Sequence, residues 1–504
     1  MRFKNILLVN PPNPPGYVSN KDSMGGFGQL YPAGATFMPP LDLVYLAGHL
    51  DSKGIPVQVM ECLGERLDQA KAIARVEKII GDTQGDALMI VRTSGPTLDN
   101  DVEFCAKLNA RRPQIKIAMY GAIVPHVVKR LERETCIDYL FLGEPDLPAL
   151  ELIMDQPIES ISGLHYRTES GWTANPDRPF IKLLDEIPFP KWELFPYNEY
   201  KIPRSSLRSH VRFLPMLTSR GCPVGCHYCP YPVGQGILFR LRTPQNVVDE
   251  IEHLVKDLGI EYILFRDPIF SLNQNRVMQI CEEIKRRGLK FEWKCETRVD
   301  CLREETLRAM AEVGCIGINF GVESAVVEIQ ANSGRKPITR DQFLKTIRLC
   351  QELGIRTYGF FIVGLPGDTV DTILTTIQFA IEMRVDWVQF TTASPLIGTK
   401  LRQWAIEHGQ ATEDEYAYVN CYDGDMGNDN LTREQVASLG RFAQILGAFL
   451  INRKGVLKEA RPEFWYRPAK AVLDVVFLNL ARLYFHIGKF RFTRRFQPVL
   501  NAAS

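Results

Sequence analysis

The chain has 504 residues, 45% of them apolar and 24% charged, which is an ordinary globular composition with room for about three domains. Its formal net charge of +1 offers no global basic field for nucleic acid. Twelve cysteines scattered over this length do not make a secreted disulfide framework and suit a reducing cytoplasm. Residues 6–9 are too short for the apolar core of a signal peptide. No run reaches the ~20 apolar residues that span a bilayer; the nearest, 471–480, is broken by Asp474 and Asn479.

The first 150 residues alternate short apolar runs with helical patterns. Strands are expected over 5–10, 57–60, 87–91, 115–120 and 139–142, with helices over 41–50 and 70–80. Apolar runs without alternation mark strands buried on both faces. This order predicts an α/β unit with a parallel, doubly wound, Rossmann-like sheet. Such sheets hold ligands at the carboxyl ends of their strands. The residues there are Asn10-Pro11-Pro12, Thr93-Ser94-Gly95, Gly121-Ala122 and Gly143-Glu144. Small residues at three strand ends leave room for a large flat ligand, and a structural or nucleotide-binding domain uses the same pattern. A long Gly/Pro-rich loop is expected over 11–40.

Residues 151–210 hold a β-rich piece at 163–167, a turn at 169–172 and a proline-rich junction at 184–196. Alternation then resumes. Strands are expected over 213–217, 262–265, 291–299, 317–320, 357–363 and 387–392, and helices over 246–258, 275–287, 304–313, 340–353 and 370–384. Polar or small residues cluster at the strand ends: Asp267, Arg298, Glu323, Ser324, Gly364 and Gly367. Singly, each polar one reads as a helix cap or a rim ion pair. Beyond 401 the helical period dominates, over 434–450 and 468–486. The tail at 489–496 interleaves basic and aromatic residues, which suits either an anionic membrane surface or the solvated end of a packed helix.

The organising stretch is the loop from Thr218 to Pro230, where Cys222, Cys226 and Cys229 stand at Cys-x3-Cys-x2-Cys spacing. Thiolates are the usual ligands of iron–sulfur clusters, and three of them leave one iron of a four-iron cluster open. A zinc site with a distant fourth ligand, or three buried thiols, are the alternatives. The other nine cysteines show no ligand spacing and read as buried structural thiols, Cys295 and Cys301 lying nearest the expected strand ends.

This loop, with Tyr228 before its third cysteine, resembles the cluster motif of the radical S-adenosylmethionine (SAM) superfamily. Asn10-Pro11-Pro12, Gly121-Ala122-Ile123-Val124-Pro125-His126, Gly143-Glu144-Pro145-Asp146 and the proline-rich junction resemble the cobalamin-binding half of the B12-dependent members. The resemblance implies four segments: a cobalamin-binding Rossmann-like domain (1–150), a linker (151–210), a partial (β/α)6 barrel (211–400) and a C-terminal helical cap (401–504). It implies a [4Fe-4S] cluster on Cys222, Cys226 and Cys229, and SAM contacts at Tyr228, Asp267, Arg298, Glu323, Ser324, Gly364 and Gly367. Cobalamin contacts are implied at Asn10, Pro11, Pro12, Thr93, Ser94, Gly95, Gly121, Ala122, Gly143 and Glu144. Two departures stand out: Gly121-Ala122 replaces the usual Gly-Gly, and no histidine sits in an Asp-x-His-x-x-Gly signature, so cobalt is expected without a protein imidazole. The implied activity is methylation of an unactivated carbon of a small-molecule substrate, fed by an electron donor such as flavodoxin or ferredoxin. The alternatives are a cobalamin-dependent radical cyclase or rearrangement enzyme without methyl transfer, and a non-catalytic cobalamin or SAM sensor.

Overall fold

A computed structural model describes residues 1–32, 37–81, 87–203, 210–413, 421–422, 424–448 and 451. The helix expected over 468–486 and the basic–aromatic tail lie outside the described residues.

Nine strands and five helices build the first part. The strands are β1 (Asn5–Asn10), β2 (Tyr17–Asn20), β3 (Gln29–Pro32), β4 (Gln58–Glu61), β5 (Ala87–Arg92), β6 (Lys116–Tyr120), β7 (Tyr139–Phe141), β8 (Leu164–Thr168) and β9 (Gly171–Ala174). The helices are α1 (Leu41–Ser52), α2 (Gln69–Ile80), α3 (Leu98–Arg111), α4 (Val128–Leu131) and α5 (Asp146–Ile153). Five strands run parallel in the order β4-β1-β5-β6-β7. The chain reverses direction across the sheet between β1 and β5, as doubly wound sheets do. All six residues of β5 are buried, which is why the sequence there does not alternate. The β-rich piece expected within the linker instead continues this sheet as antiparallel β8 and β9.

The loop expected over 11–40 is not featureless. It carries the hairpin β2–β3 and a tight turn at Ser23–Gly26, with residues 33–36 outside the described set. Lys21 anchors it: its Nζ donates to the Arg92 carbonyl at 2.8 Å and to Asp101 Oδ2 at 2.9 Å. Arg92 answers through Nη2 to the Lys21 carbonyl at 2.7 Å and through Nε to both Asp42 oxygens at 3.1 Å. The hairpin is thereby folded down over the end of β5.

The second sheet has the order β10-β11-β14-β15-β16-β17-β18, from β10 (Lys201–Pro203), β11 (His210–Met216), β14 (Tyr262–Phe265), β15 (Glu292–Thr297), β16 (Cys315–Glu323), β17 (Arg356–Val363) and β18 (Trp387–Thr392). The last six are parallel, and β10 pairs antiparallel at the edge. A short separate ribbon, β12 (Ser219–Arg220) with β13 (Arg240–Leu241), flanks the cysteine loop. Helices α6 (Tyr231–Gln235), α7 (Pro244–Glu252), α8 (Gln274–Arg286), α9 (Glu304–Glu312), α10 (Val327–Asn332), α11 (Arg340–Glu352), α12 (Val370–Glu382), α13 (Lys400–Glu407) and α14 (Arg433–Gly447) are the further helices among the described residues. Reciprocal caps at Thr339, Thr369 and Thr432 fix the starts of α11, α12 and α14. The helix expected over 246–258 stops at Glu252 and finishes as one wider π turn, His253–Asp257.

Alternation along β15 and β17 separates two faces. Trp293, Cys295, Phe361 and Val363 are buried on one, while Lys294, Glu296, Tyr358 and Phe360 stand half-buried on the other. That second face is the hollow of an open barrel, and the site lies at its C-terminal mouth. The proline-rich junction is packed rather than loose. Trp192 is fully buried against Phe195 and Tyr200, with ring centroids at 6.4 and 6.3 Å, in one core with both sheets.

Candidate functional site

Two cavities meet between the sheets. One, of about 430 Å³, opens at the barrel mouth and is lined by Cys222, Cys226, Tyr228 and Cys229 together with Arg298, Glu323 and Arg335. The other, of about 360 Å³, lies at the ends of β6 and β7, lined by Gly121, Ala122, Gly143 and Glu144. Tyr231 and Arg266 border both. Between them wedges the Ser23–Gly26 turn: Met24 faces the barrel cavity and Gly25 the other. Gly25 has φ +68, and a Cβ there would lie 2.8 Å from the Tyr231 Cα, so only glycine fits.

The cysteine loop is held from below. Asp267, fully buried after β14, accepts the Thr218 N–H at 2.9 Å, the Thr218 hydroxyl at 3.0 Å and the Ser219 hydroxyl at 2.6 Å. It does not line the barrel cavity. Its Oδ1 thus braces the loop, while its Oδ2 has no hydrogen-bond partner in the chain. Ser324 likewise turns away: its hydroxyl meets the Thr376 hydroxyl at 3.2 Å and accepts the Val326 N–H. Gly364 faces Val436 of α14 and lines neither cavity. Gly367 borders a third pocket behind the cysteine loop with Tyr228, Leu365 and Trp404.

Cys222, Cys226 and Cys229 line the barrel cavity together, and among the described residues no three His, Cys, Asp or Glu side chains converge as single-ion ligands do. Burial raises all three thiol pKa values, Cys229 most strongly, and binding to a cationic metal centre would hold them as thiolates. Beside them lie unanswered donors. Arg298 forks onto Asp300 at 2.8 and 2.9 Å, the partner expected to be SAM, yet its Nη1 has no hydrogen-bond partner in the chain. Arg335 Nε is also unpartnered and buried. Two buried guanidinium N–H groups on the cysteine cavity fit a carboxylate ligand.

Arg335 was not visible in the sequence, because it follows α10 in a Ser-Gly-Arg turn with no motif of its own. It donates to Glu323 Oε1 at 2.9 Å, to the Tyr228 hydroxyl at 3.1 Å and to the Gly321 carbonyl. Glu323 is reached through a bulge in β16 and a left-handed φ of +64. Burial raises its pKa, and Arg335 opposes that.

On the first-domain side, four of the ten expected cobalamin contacts line the cavity. The other six do not. Asn10 donates to Glu61 at 2.6 Å, the Pro12 carbonyl accepts Asn100 at 2.7 Å, and Thr93 donates to Asp101 at 2.8 Å. Ser94 meets Thr97 at 2.9 Å, and the Gly95 N–H donates to Phe27 of the hairpin segment at 2.9 Å. Pro11, between Asn10 and Pro12, is buried with them. The hairpin segment packs directly on two of these residues, Ser94 beside Gly28 and Gly95 bonded to Phe27. Gly143 has open space where a Cβ would stand, and the cavity rim offers carboxylates at Asp22, Asp42 and Asp146.

A doubly wound sheet joined to an open six-stranded barrel, with three thiols at the barrel mouth, defines a radical SAM architecture. Residues 216–380 match the model of the radical SAM superfamily. An uncharacterized methyltransferase of Pyrococcus horikoshii is 30% identical over 466 residues, covering 91% of this chain and 95% of that one. Cytidylyl-2-hydroxyethylphosphonate methyltransferase of Streptomyces wedmorensis is 24% identical, covering 84% and 85%. The radical SAM methyltransferase TsrM of Kitasatospora setae, solved with cobalamin and a [4Fe-4S] cluster, shares the fold with a TM-score of 0.63 at 19% identity, over 81% of this chain and 75% of that one. The chain belongs to the radical SAM superfamily and shares a family with the Pyrococcus horikoshii methyltransferase.

Proposed function

We propose that this chain is a methyltransferase acting on an unactivated carbon of a small molecule, with a [4Fe-4S] cluster, SAM and cobalamin as its cofactors. The observation that carries this reading is the shared wall: Tyr231 and Arg266 border both the cysteine cavity and the first-domain cavity. Bound together, these cofactors supply a hydrogen-abstracting radical from SAM and a methyl group carried on cobalt.

The chain's own part is binding and exclusion. Cys222, Cys226 and Cys229 hold the cluster. The unpartnered N–H groups of Arg298 and Arg335 receive the SAM carboxylate, Glu323 takes a ribose hydroxyl, and the pocket behind Tyr228, bordered by Gly367, receives the adenine. Gly121, Ala122, Gly143 and Glu144 back the corrin. Asp267 and Ser324 serve as braces instead of contacts. The four-segment division at 150, 210 and 400 follows, with β8 and β9 packed onto the first segment. A low-potential electron donor such as flavodoxin or ferredoxin is required. Twelve free thiols suit a reducing cytoplasm. Among the described residues no helix is long and apolar enough to cross a membrane.

The test is anaerobic reconstitution with iron, sulfide, cobalamin and SAM, followed by mass analysis. 5′-Deoxyadenosine together with S-adenosylhomocysteine marks methyl transfer. 5′-Deoxyadenosine alone marks a radical reaction without it, such as a cyclisation. Neither product, with cofactors bound, marks a sensor.

A further inference from the structure

The ribbon that leads into the cysteine loop carries a pairing that an isolated ribbon rejects. Arg220 of β12 stands directly opposite Arg240 of β13, and like charges on opposed residues are destabilising. Their side chains are only 11% and 1% exposed, so water screens them little. One carboxylate joins both, and it comes from the other sheet. Glu144, at the end of β7, accepts Arg220 Nη1 at 2.9 Å and Arg240 Nη1 at 2.9 and 3.1 Å. The Ile181 N–H completes its shell at 2.8 Å. Asp146 stands 3.7 Å from Arg220, and the rings of Tyr45 and Phe180 cover the two guanidiniums at 5.4 and 4.9 Å. Gly221 and Cys222 follow Arg220 directly, and the Cys222 N–H donates to the Gly236 carbonyl at 3.1 Å. The carboxylate that borders the first-domain cavity thus also holds the base from which the first thiol springs.

We propose that Glu144 is a positioning residue for the cluster: by bridging Arg220 and Arg240, with Asp146 balancing the second charge, it fixes the ribbon beneath Cys222 and sets the electrostatic potential at the cluster loop. The proposal rests on the cluster reading of Cys222, Cys226 and Cys229. It has a signed consequence. Glu144→Gln leaves an uncompensated buried cation beside the loop, and cations favour the reduced, more negative cluster. Arg240→Met removes a cation and acts in the opposite direction. A role confined to packing predicts no such pair of opposite shifts.

The experiment compares holoenzyme carrying wild-type, E144Q, R240M and E144Q/R240M sequences by anaerobic redox titration of the cluster, read by electron paramagnetic resonance. The expected result is a positive shift of the midpoint potential in E144Q, a negative shift in R240M and a return toward wild type in the double variant. R240M carries the test if E144Q does not fold. Wild-type potentials in both single variants, or shifts of the same sign, overturn the proposal. Hydrogen exchange of the metal-free chain provides an independent arm. Faster exchange at residues 219–222 and 240–241 in E144Q is expected, and unchanged exchange overturns the positioning role. A wild-type chain that assembles no four-iron cluster sinks the cofactor reading instead, while the exchange arm still judges Glu144.

Discussion

The Arg335 guanidinium bridges Glu323 and Tyr228, donating through one nitrogen to the carboxylate at 2.9 Å and to the phenol at 3.1 Å. It thereby links the end of β16 to the residue between the second and third cluster cysteines. The pair is almost closed to solvent, with side-chain exposures of 4% and 13%. Breaking one side of a buried pair costs about 3–5 kcal/mol, because the other charge stays behind. Arg335→Met is expected to destabilise the metal-free chain by about that amount and to weaken SAM binding. Adding Glu323→Gln should recover much of the stability and none of the SAM affinity. Urea unfolding and calorimetric SAM titration check the two halves separately. A stable R335M chain with unaltered SAM binding removes Arg335 from the site.

The three-thiol loop gives the plainest expectation. Replacing Cys222, Cys226 and Cys229 together by Ala should abolish the visible absorbance of the four-iron cluster and all SAM cleavage. The other nine cysteines should not matter for the cluster: seven are buried in the apolar cores, Cys421 borders the barrel cavity outside the cysteine loop, and Cys301 lies half-exposed beside Asp300. Full iron and sulfide content in the triple variant would place the cluster elsewhere.

Asp368 makes a pH-dependent contribution whose sign can be worked out. Burial pushes its carboxyl up to about 6 from an ordinary 3.8, although Thr372 and the Gly364 and Leu365 N–H groups hydrogen-bond to it. The unfolded chain loses its proton first as pH rises. Between pH 4 and 6 the unfolded state binds fewer protons, so this group's contribution to stability falls with rising pH and levels above 6. The full swing is about 3 kcal/mol. In Asp368→Asn the swing is absent. The stability difference between variant and wild type should therefore grow in favour of the variant from pH 4 to 6 and then stay flat. Denaturant unfolding of metal-free protein across that range checks it, and a constant difference would contradict it.

Local pattern carried most of the fold into view. Unbroken apolar runs marked the parallel strands of the first sheet, and renewed strand–helix alternation marked the barrel. The cysteine loop announced itself by spacing alone. What stayed hidden depends on distant partners. Asp267 and Ser324 sit at strand ends, but only the fold shows that Asp267 Oδ1 pairs with Thr218 and that Ser324 meets Thr376. Lys21 lies in a Gly/Pro-rich stretch that reads as loop, and nothing local says that Asp101 will bury it. Arg335 gains its meaning from Glu323 on the other side of α10, and the Arg220–Arg240 pairing from Glu144, far away in the chain.

The hairpin's anchor is itself testable. Lys21 and Asp101 form an ion pair with side-chain exposures of 3% and 0%, and Asp101 also accepts the Thr93 and Thr97 hydroxyls. Lys21→Met leaves that carboxylate with its hydroxyl partners alone, at an expected cost of about 3–5 kcal/mol. The hairpin should lift from β5, and protease cleavage within residues 17–32 should accelerate. Lys21→Met with Asp101→Asn should restore part of both. Unchanged cleavage in the single variant would show that the hairpin is held by other contacts.

Cobalt coordination provides the last expectation. Among the described residues His126 is the one histidine lining the first-domain cavity. Burial lowers its pKa, so it is a neutral imidazole and chemically able to bind a metal. Its surroundings hold it elsewhere. The ring lies against Phe27 at 5.9 Å between centroids, and its edge abuts Gly398, where even a Cβ would come within 2.9 Å of the ring. It also stands after β6, whereas the histidine of the Asp-x-His-x-x-Gly signature is absent from this chain. Cobalamin bound here is therefore expected to carry no protein imidazole on cobalt. The Co(II) form should show no three-line nitrogen splitting in its paramagnetic resonance spectrum, and His126→Ala should leave the spectrum unchanged. A nitrogen triplet that vanishes in H126A would overturn this and would require the Phe27 and Gly398 contacts to open when cobalamin binds.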